Sequence, residues 1–260
     1  MSENPVLILD FPGRRPEAHV SEMQLDRHGF TCTEVLTSPM PVALTTPAYA
    51  GELRARQSLG RPLAIIAYCA TAPLAVALAA LLAGPDRPVP IVLLDPQRTP
   101  PDEFLREYRE VVSQVEGQAV SAERPPLLDV ERLLATPGVL VERIGADLRR
   151  RAELALASYG FTGADVSGPV ESLVGVYVEW LTFLVAAHHD ELSPPRGPVL
   201  QVISRDHPAD AGWLGATDLR TVRVPCERPE LAVNAEARAA IVDFLHRQAL
   251  PAAAGLGHER

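Results

Sequence analysis

Short, uninterrupted apolar runs bounded by turn residues recur along the chain, and they limit its possible folds more than any other feature. The clearest of them are Val6–Leu9, Leu63–Ala67, Pro90–Leu94 and Val199–Ile203. Strands that are buried on both faces have continuous apolar sequences, and parallel sheets contain such strands because helices cover both sides. Thr31–Leu36 and Arg220–Val224 are further candidate strands. Helical segments between the runs favour an α/β fold with a mostly parallel sheet.

A long helical stretch interrupts this alternation. From Thr99 to about Leu192 the chain shows helical patterns and no strand pattern, which is too long for a simple crossover. We therefore expect a single domain over residues 1–260 with a helical lid inserted at about residues 99–192. The helices expected in the lid are Asp102–Glu116, Leu127–Leu134, Val139–Leu156 and Val170–Ala187. Those expected outside it are Tyr49–Leu59, Pro73–Leu82 and the amphipathic closing helix Asn234–Gln248.

Charge and cysteine content argue against several classes of protein. The net charge of −9 disfavours general binding of nucleic acid, which needs a clustered basic surface. Cys32, Cys69 and Cys226 fit neither a disulfide framework nor a metal site, and no glycine-rich phosphate loop is present, so we expect no cofactor. The first residues lack the pattern of a secretory signal, and Leu63–Ala83 is better explained as strand, turn and helix than as a membrane span. These features predict a cytoplasmic protein without nucleic-acid or membrane partners.

A thiol stands where the strand Leu63–Ala67 leads into the helix Pro73–Leu82. A nucleophile elbow carries a reactive side chain on a sharp strand-to-helix turn, with small residues two positions before and after it. Ala67 and Thr71 occupy those positions around Cys69. The N-terminus of a helix also favours a thiolate and an oxyanion. A buried structural cysteine is the alternative interpretation of the same residues.

The segment Ala67-Tyr68-Cys69-Ala70-Thr71-Ala72, followed by an alanine-rich helix, resembles the elbow of thioesterases from polyketide and nonribosomal peptide assembly lines. The loop Asp10–Gly13, the acid after the next strand and the helical segment Tyr177–Leu181 are similar to features of the same family. This resemblance implies an α/β-hydrolase fold. It also implies catalytic roles, with Cys69 as nucleophile, Asp95 as the orienting acid, and the N–H groups of Ala70 and of Gly13 or Arg14 as the oxyanion hole.

The histidine that completes the family's triad is absent from its usual loop. Between the last strand and the closing helix the chain reads Val-Pro-Cys-Glu-Arg-Pro-Glu-Leu over residues 224–231. His207, after the strand Val199–Ile203, is our first candidate for a displaced base, because catalytic groups gather at the carboxyl ends of parallel strands. Asp206 beside it is an alternative acid. His188 and His189 are weaker candidates, since their place at the end of a helix explains them without catalysis.

The expected activity is transfer or hydrolysis of an acyl or peptidyl thioester, held on a carrier protein or supplied as a small molecule, in secondary metabolism. Arg149-Arg150-Arg151 is more typical of a solvated face, but it could meet an acidic carrier protein. A different class of function stays open, namely a catalytically impaired pseudo-hydrolase that binds an acyl chain or a carrier protein. Transfer of the acyl group to an amine instead of water is a third possibility.

Overall fold

A single sheet of parallel strands forms the centre of the fold. The computed structural model describes residues 4–11, 17–85, 87–117, 129–161, 167–191, 193–208 and 215–249. Its strands are β1 Val6–Leu9, β2 Cys32–Glu34, β3 Ala64–Tyr68, β4 Ile91–Leu94, β5 Val199–Ile203 and β6 Leu219–Arg223. They form a six-stranded sheet in the order β2-β1-β3-β4-β5-β6, and every neighbouring pair is parallel. The predicted fold class, a mostly parallel sheet flanked by helices, is confirmed.

Burial explains why some strands were easier to recognise than others. Every residue of β1, β3, β4 and β5 is buried, and these strands carry the continuous apolar runs. The edge strands β2 and β6 are largely exposed, and their sequences are mixed. Inner strands of a sheet covered on both faces need apolar side chains in both directions, whereas edge strands do not.

The helices lie close to their predicted positions. They are α1 Thr46–Arg56, α2 Ala72–Leu82, α3 Pro101–Glu116, α4 Val130–Leu134, α5 Pro137–Ser158, α6 Ser167–His188 and α7 Ala235–Ala249. Residues 127 and 128, predicted to begin the second lid helix, lie outside the described residues. Apart from the turn after β3, three 3-10 helices among the described residues were not predicted, because one or two tight turns leave no apolar periodicity in a sequence. These are Val20–Met23, Leu25–His28 and Arg228–Val233.

The order of the strands reverses beside β1. The chain passes from β1 to β2 on one side and then returns to the other side of β1 as β3. Loops leaving the carboxyl ends of β1 and β3 therefore diverge, and ligands of open α/β sheets bind at such a reversal. Cys69 immediately follows β3, so the sheet places this thiol at the reversal.

The chain divides into two compact units. One comprises residues 1–38, 50–97 and 192–260 and contains the sheet, while the other comprises residues 39–49 and 98–191 and contains α3 to α6. The second unit nearly coincides with the predicted insertion at 99–192, although the single-domain description stays a prediction. Residues 39–49 were not expected there. They join it through bonds from the Met40 N–H to Glu179 Oε1 (3.2 Å) and from Thr46 Oγ1 to the Ala186 carbonyl (2.8 Å).

The helical unit has a buried ionic cluster and one unusually apolar helix. Arg151 is only 3% exposed and bonds Asp147 and Glu116, so the prediction of a solvated face is wrong at this residue. Arg149 and Arg150 are about half exposed and pair with Glu171 and Asp147. By length and composition α6 could cross a membrane, and half of its apolar window (50%) is buried in the protein.

Candidate active site

Cys69 occupies a strained turn between β3 and α2. Its φ of 56° lies in the left-handed region, which residues other than glycine seldom adopt. A 3-10 turn over Cys69–Thr71 connects the strand to the helix. Tyr68 and Ala70 on either side are buried, whereas Cys69 is partly exposed. A strained strand-to-helix turn that exposes one side chain is the backbone geometry of a nucleophile elbow.

Thr71, the small residue two positions after Cys69, holds this turn through its side chain. The Thr71 side chain is buried, and its Oγ1 accepts a bond from the Tyr68 N–H at 3.0 Å. The same hydroxyl lies 2.7 Å from the Leu9 carbonyl oxygen and donates to it. One side chain therefore ties the turn after β3 to the end of β1. A buried hydroxyl that both donates and accepts a hydrogen bond has little desolvation penalty, and here its bonds fix the backbone.

The Cys69 thiol contacts two polar side chains from other loops of the sheet unit. Arg228 Nη2 lies 2.7 Å from Cys69 Sγ and donates to it. Gln97 Oε1 lies 3.5 Å from the sulfur and 3.3 Å from Arg228 Nη1. Cys69, Gln97 and Arg228 therefore form a connected group, with an arginine in the loop where the resembling thioesterases carry histidine.

Arg228 is half-buried, and its buried Nε has no hydrogen-bond partner among the described residues. It begins the 3-10 helix Arg228–Val233, its Nε lies 3.6 Å from Glu17 Oε1, and its guanidinium lies 5.9 Å from the centre of the Tyr68 ring. Burial disfavours its charge, but Cys69, Tyr68 and Glu17 more than compensate and raise the pKa of Arg228 above its ordinary value. The guanidinium therefore stays protonated and cannot act as a general base. The sequence pattern pointed only to a missing histidine in this loop, and Arg228 was not among the predicted site residues.

The predicted acid and base lie together on the neighbouring strand ends. Asp95 is fully buried with a φ of 40°, and its two carboxylate oxygens accept bonds from the Ser204 N–H (2.8 Å) and Oγ (2.7 Å). His207 Nδ1 lies 3.7 Å from Asp95 Oδ1. His207 Nε2 lies 3.2 Å from the Pro96 carbonyl oxygen, so this nitrogen carries the hydrogen and donates it to the backbone. Burial lowers the pKa of His207 despite the nearby Asp95.

The roles assigned to Asp95 and His207 stay predictions. The structure brings the two residues together, whereas the Cys69 sulfur contacts Arg228 and Gln97. Asp206, the alternative acid, is exposed. Ala70 follows Cys69 in the turn, as an oxyanion donor would, whereas Gly13 and Arg14 lie outside the described residues.

The weaker histidine candidates connect parts of the helical unit. His188 Nδ1 lies 2.8 Å from the Thr99 carbonyl oxygen, and His189 Nε2 lies 3.0 Å from the Leu134 carbonyl oxygen. Both rings thus anchor the end of α6. Within the described part of the chain, no group of three or more His, Cys, Asp or Glu side chains is placed to hold a metal ion.

Comparison with known proteins establishes the fold. No family model and no curated protein matches the sequence. A four-domain nonribosomal peptide synthetase, solved in its holo form with AMP and glycine, superposes with a TM-score of 0.52 at 15% identity, covering 95% of this chain and 19% of that chain. An α/β hydrolase from Nostoc sp PCC 7120 superposes with a TM-score of 0.50 at 17% identity, covering 93% and 90% of the two chains.

An epoxide-hydrolase-like protein from Pseudomonas aeruginosa gives the same result, with a TM-score of 0.50 at 18% identity and coverage of 96% and 91%. The protein therefore has the α/β-hydrolase fold, as the sequence predicted. The candidate site is a cysteine on a strand-to-helix turn of that fold, in contact with an arginine.

Proposed function

We propose that this protein transfers or hydrolyses acyl groups of thioesters, with Cys69 as the nucleophile and an acyl or peptidyl carrier protein as the donor. The observation that carries the proposal is the position of the Cys69 sulfur. It projects from a strained turn at the reversal of strand order, 2.7 Å from the Arg228 guanidinium. A cysteine held only for packing needs neither a left-handed backbone nor a cationic neighbour.

The reaction begins with attack of Cys69 Sγ on the carbonyl carbon of the thioester. A new carbon–sulfur bond forms, the donor leaves as a thiolate, and that thiolate takes a proton from water. The N–H of Ala70, next in the turn, is the proposed oxyanion donor, and the start of α2 adds positive potential there. Water or another nucleophile then displaces Cys69 from the acyl group.

Two features support a thioester substrate. Exchange between two thioesters replaces one carbon–sulfur bond by another, so a thiolate achieves it without a strong base, whereas a serine would need one. One of the superposed structures is a nonribosomal peptide synthetase, although the match spans only 19% of that chain.

Intact-mass spectrometry after incubation with a panel of short and long acyl thioesters tests the proposal. We expect an acyl adduct on wild type and on Cys32→Ala, a matched loss of another exposed thiol, and none on Cys69→Ala. The lifetime of the adduct in water and in added amine shows whether hydrolysis or transfer follows. An adduct that persists in Cys69→Ala would refute the role of Cys69.

A binding protein without turnover is the second candidate. The observation that favours it is the arrangement of Asp95 and His207, whose carboxylate oxygens and Nε2 already bond Ser204 and the Pro96 carbonyl. If no thioester acylates wild type while a generic thiol reagent reaches Cys69, the binding protein is favoured. Loss of hydrolysis in a folded His207→Gln variant would favour the enzyme instead.

A further inference from the structure

We infer that Arg228 is a catalytic residue that holds Cys69 as a thiolate, so that the nucleophile is formed without a general base. This inference rests on the proposed function, because the thiolate matters only if Cys69 reacts. Arg228 Nη2 lies 2.7 Å from Cys69 Sγ, so an N–H of the charged guanidinium is in direct contact with the sulfur. Arg228 thus touches the reacting atom itself.

Besides its contact with the sulfur, the guanidinium has one hydrogen bond and two looser contacts within the described part of the chain, and its buried Nε has no hydrogen-bond partner there. Nη1 donates to Gln97 Oε1 at 3.3 Å, Nε faces Glu17 Oε1 at 3.6 Å, and the Tyr68 ring lies 5.9 Å from the guanidinium centre. A planar fork held in this way loses little further freedom when it binds an anion. The arrangement is therefore pre-organised for a negative charge on Cys69.

The charged and titratable groups around this pair act on the thiol to different extents and in different directions. Burial raises the pKa of Tyr68 well above its ordinary value, so the phenol adds no negative charge. Burial lowers the pKa of His207, so at neutral pH this ring adds no positive charge. Glu17 offsets part of the positive charge of Arg228. The carboxylate oxygens of Asp95 accept bonds from Ser204. Arg228 is thus a cation in direct contact with the sulfur, and the start of α2 acts in the same direction.

Gln97 favours the opposite state, because its Oε1 lies 3.5 Å from the sulfur and accepts a bond only from a protonated thiol. A thiol is a weak hydrogen-bond donor, whereas a bond between an arginine and an anion is about twice as strong as a neutral one. The contact with the charged guanidinium therefore outweighs the bond to Gln97. The thiol proton passes to solvent, the thiolate attacks, and Arg228 remains protonated throughout.

The rate of alkylation by iodoacetamide at low pH measures the thiolate directly, since only the thiolate reacts. Arg228→Met removes the charge and keeps most of the side-chain volume, and Arg228→Lys restores a charge without the fork. Arg220→Met is a matched control, because Arg220 is exposed and pairs with Asp243 on the surface. At about pH 6 we expect Cys69 of Arg228→Met to react about tenfold more slowly than wild type. Arg228→Lys should be intermediate and Arg220→Met unchanged.

The acylation assay separates failure of this inference from failure of the proposed function. Equal alkylation at low pH in wild type and in both Arg228 variants would overturn the role of Arg228, even if Cys69 is acylated. If Arg228→Met does not fold, the comparison of wild type with Arg228→Lys decides in the same way. If wild type is not acylated but its alkylation rate depends on Arg228, the proposed thioester reaction is refuted. The inference that Arg228 stabilises the Cys69 thiolate is then supported on its own.

Discussion

Two residues with positive φ lie side by side at the carboxyl ends of adjacent strands. Cys69 follows β3 with a φ of 56°, and Asp95 follows β4 with a φ of 40°. A left-handed conformation costs an ordinary residue about 1–2 kcal/mol, so each must be stabilised by its surroundings. The hydroxyl of Thr71 does this for the first turn, and the two bonds from Ser204 do it for the second.

His207 gives the first prediction at this scale, which concerns pH. Burial lowers the pKa of His207 in the folded chain, whereas in the unfolded chain the ring takes up a proton as the pH falls through about 6.5. The unfolded state then binds more protons, so the contribution of His207 to stability is complete above that pH and is lost as the pH falls towards the lowered folded value.

We therefore expect His207→Gln to lessen the fall in the free energy of unfolding between about pH 7.5 and about pH 5.5. Urea denaturation at both pH values measures it, and His28→Gln controls for loss of an exposed histidine. If the free energy of unfolding of His207→Gln falls with pH as much as that of wild type, His207 has the same pKa in the folded and unfolded states.

At the scale of elements, the sequence predicted the inner strands because their burial forces a continuous apolar pattern. β5 matches its predicted bounds, and α2 begins one residue earlier than expected. The site was less predictable. Arg228 lies in a short 3-10 helix without periodicity, and its contact with Cys69 joins residues 159 positions apart in the chain. The available signal was its place in the loop where the resemblance called for a histidine.

The contact between α3 and α5 supports a prediction about stability. Arg151 of α5 is 3% exposed, bonds Asp147 Oδ2 at 2.6 Å and also bonds Glu116 of α3. Removing one partner of a buried ion pair leaves uncompensated charge and costs about 3–5 kcal/mol. We expect Arg151→Met to lower the free energy of unfolding by about 3 kcal/mol in urea denaturation.

Arg149→Met is the matched control for this change. Arg149 is 46% exposed and pairs with Glu171, which is 58% exposed, so its loss should cost about 0.5 kcal/mol or less. Similar effects of the two variants would mean that the buried cluster does not stabilise the protein more than a surface pair does.

At the scale of the whole molecule, charge bears on the proposed partner. The net charge is −9, and the basic run that might have attracted an acidic carrier protein is already paired with acidic side chains. Long-range repulsion therefore acts against any partner of the same sign unless salt screens it. The net charge of the whole molecule should therefore decide whether salt speeds or slows the reaction with a charged carrier protein.

If the donor is a carrier protein with net negative charge, acylation of Cys69 should become faster as the ionic strength rises. Between about 0.01 M and about 0.15 M the Debye length shortens from about 30 Å to about 8 Å, which screens the repulsion. A rise of a fewfold is expected, since the repulsion opposes encounter rather than chemistry. An uncharged small-molecule thioester provides the control, and its rate should not change. Stopped-flow or quenched-flow mass spectrometry measures both rates. A rate that instead falls with salt would reveal a basic docking surface strong enough to outweigh the net charge of −9.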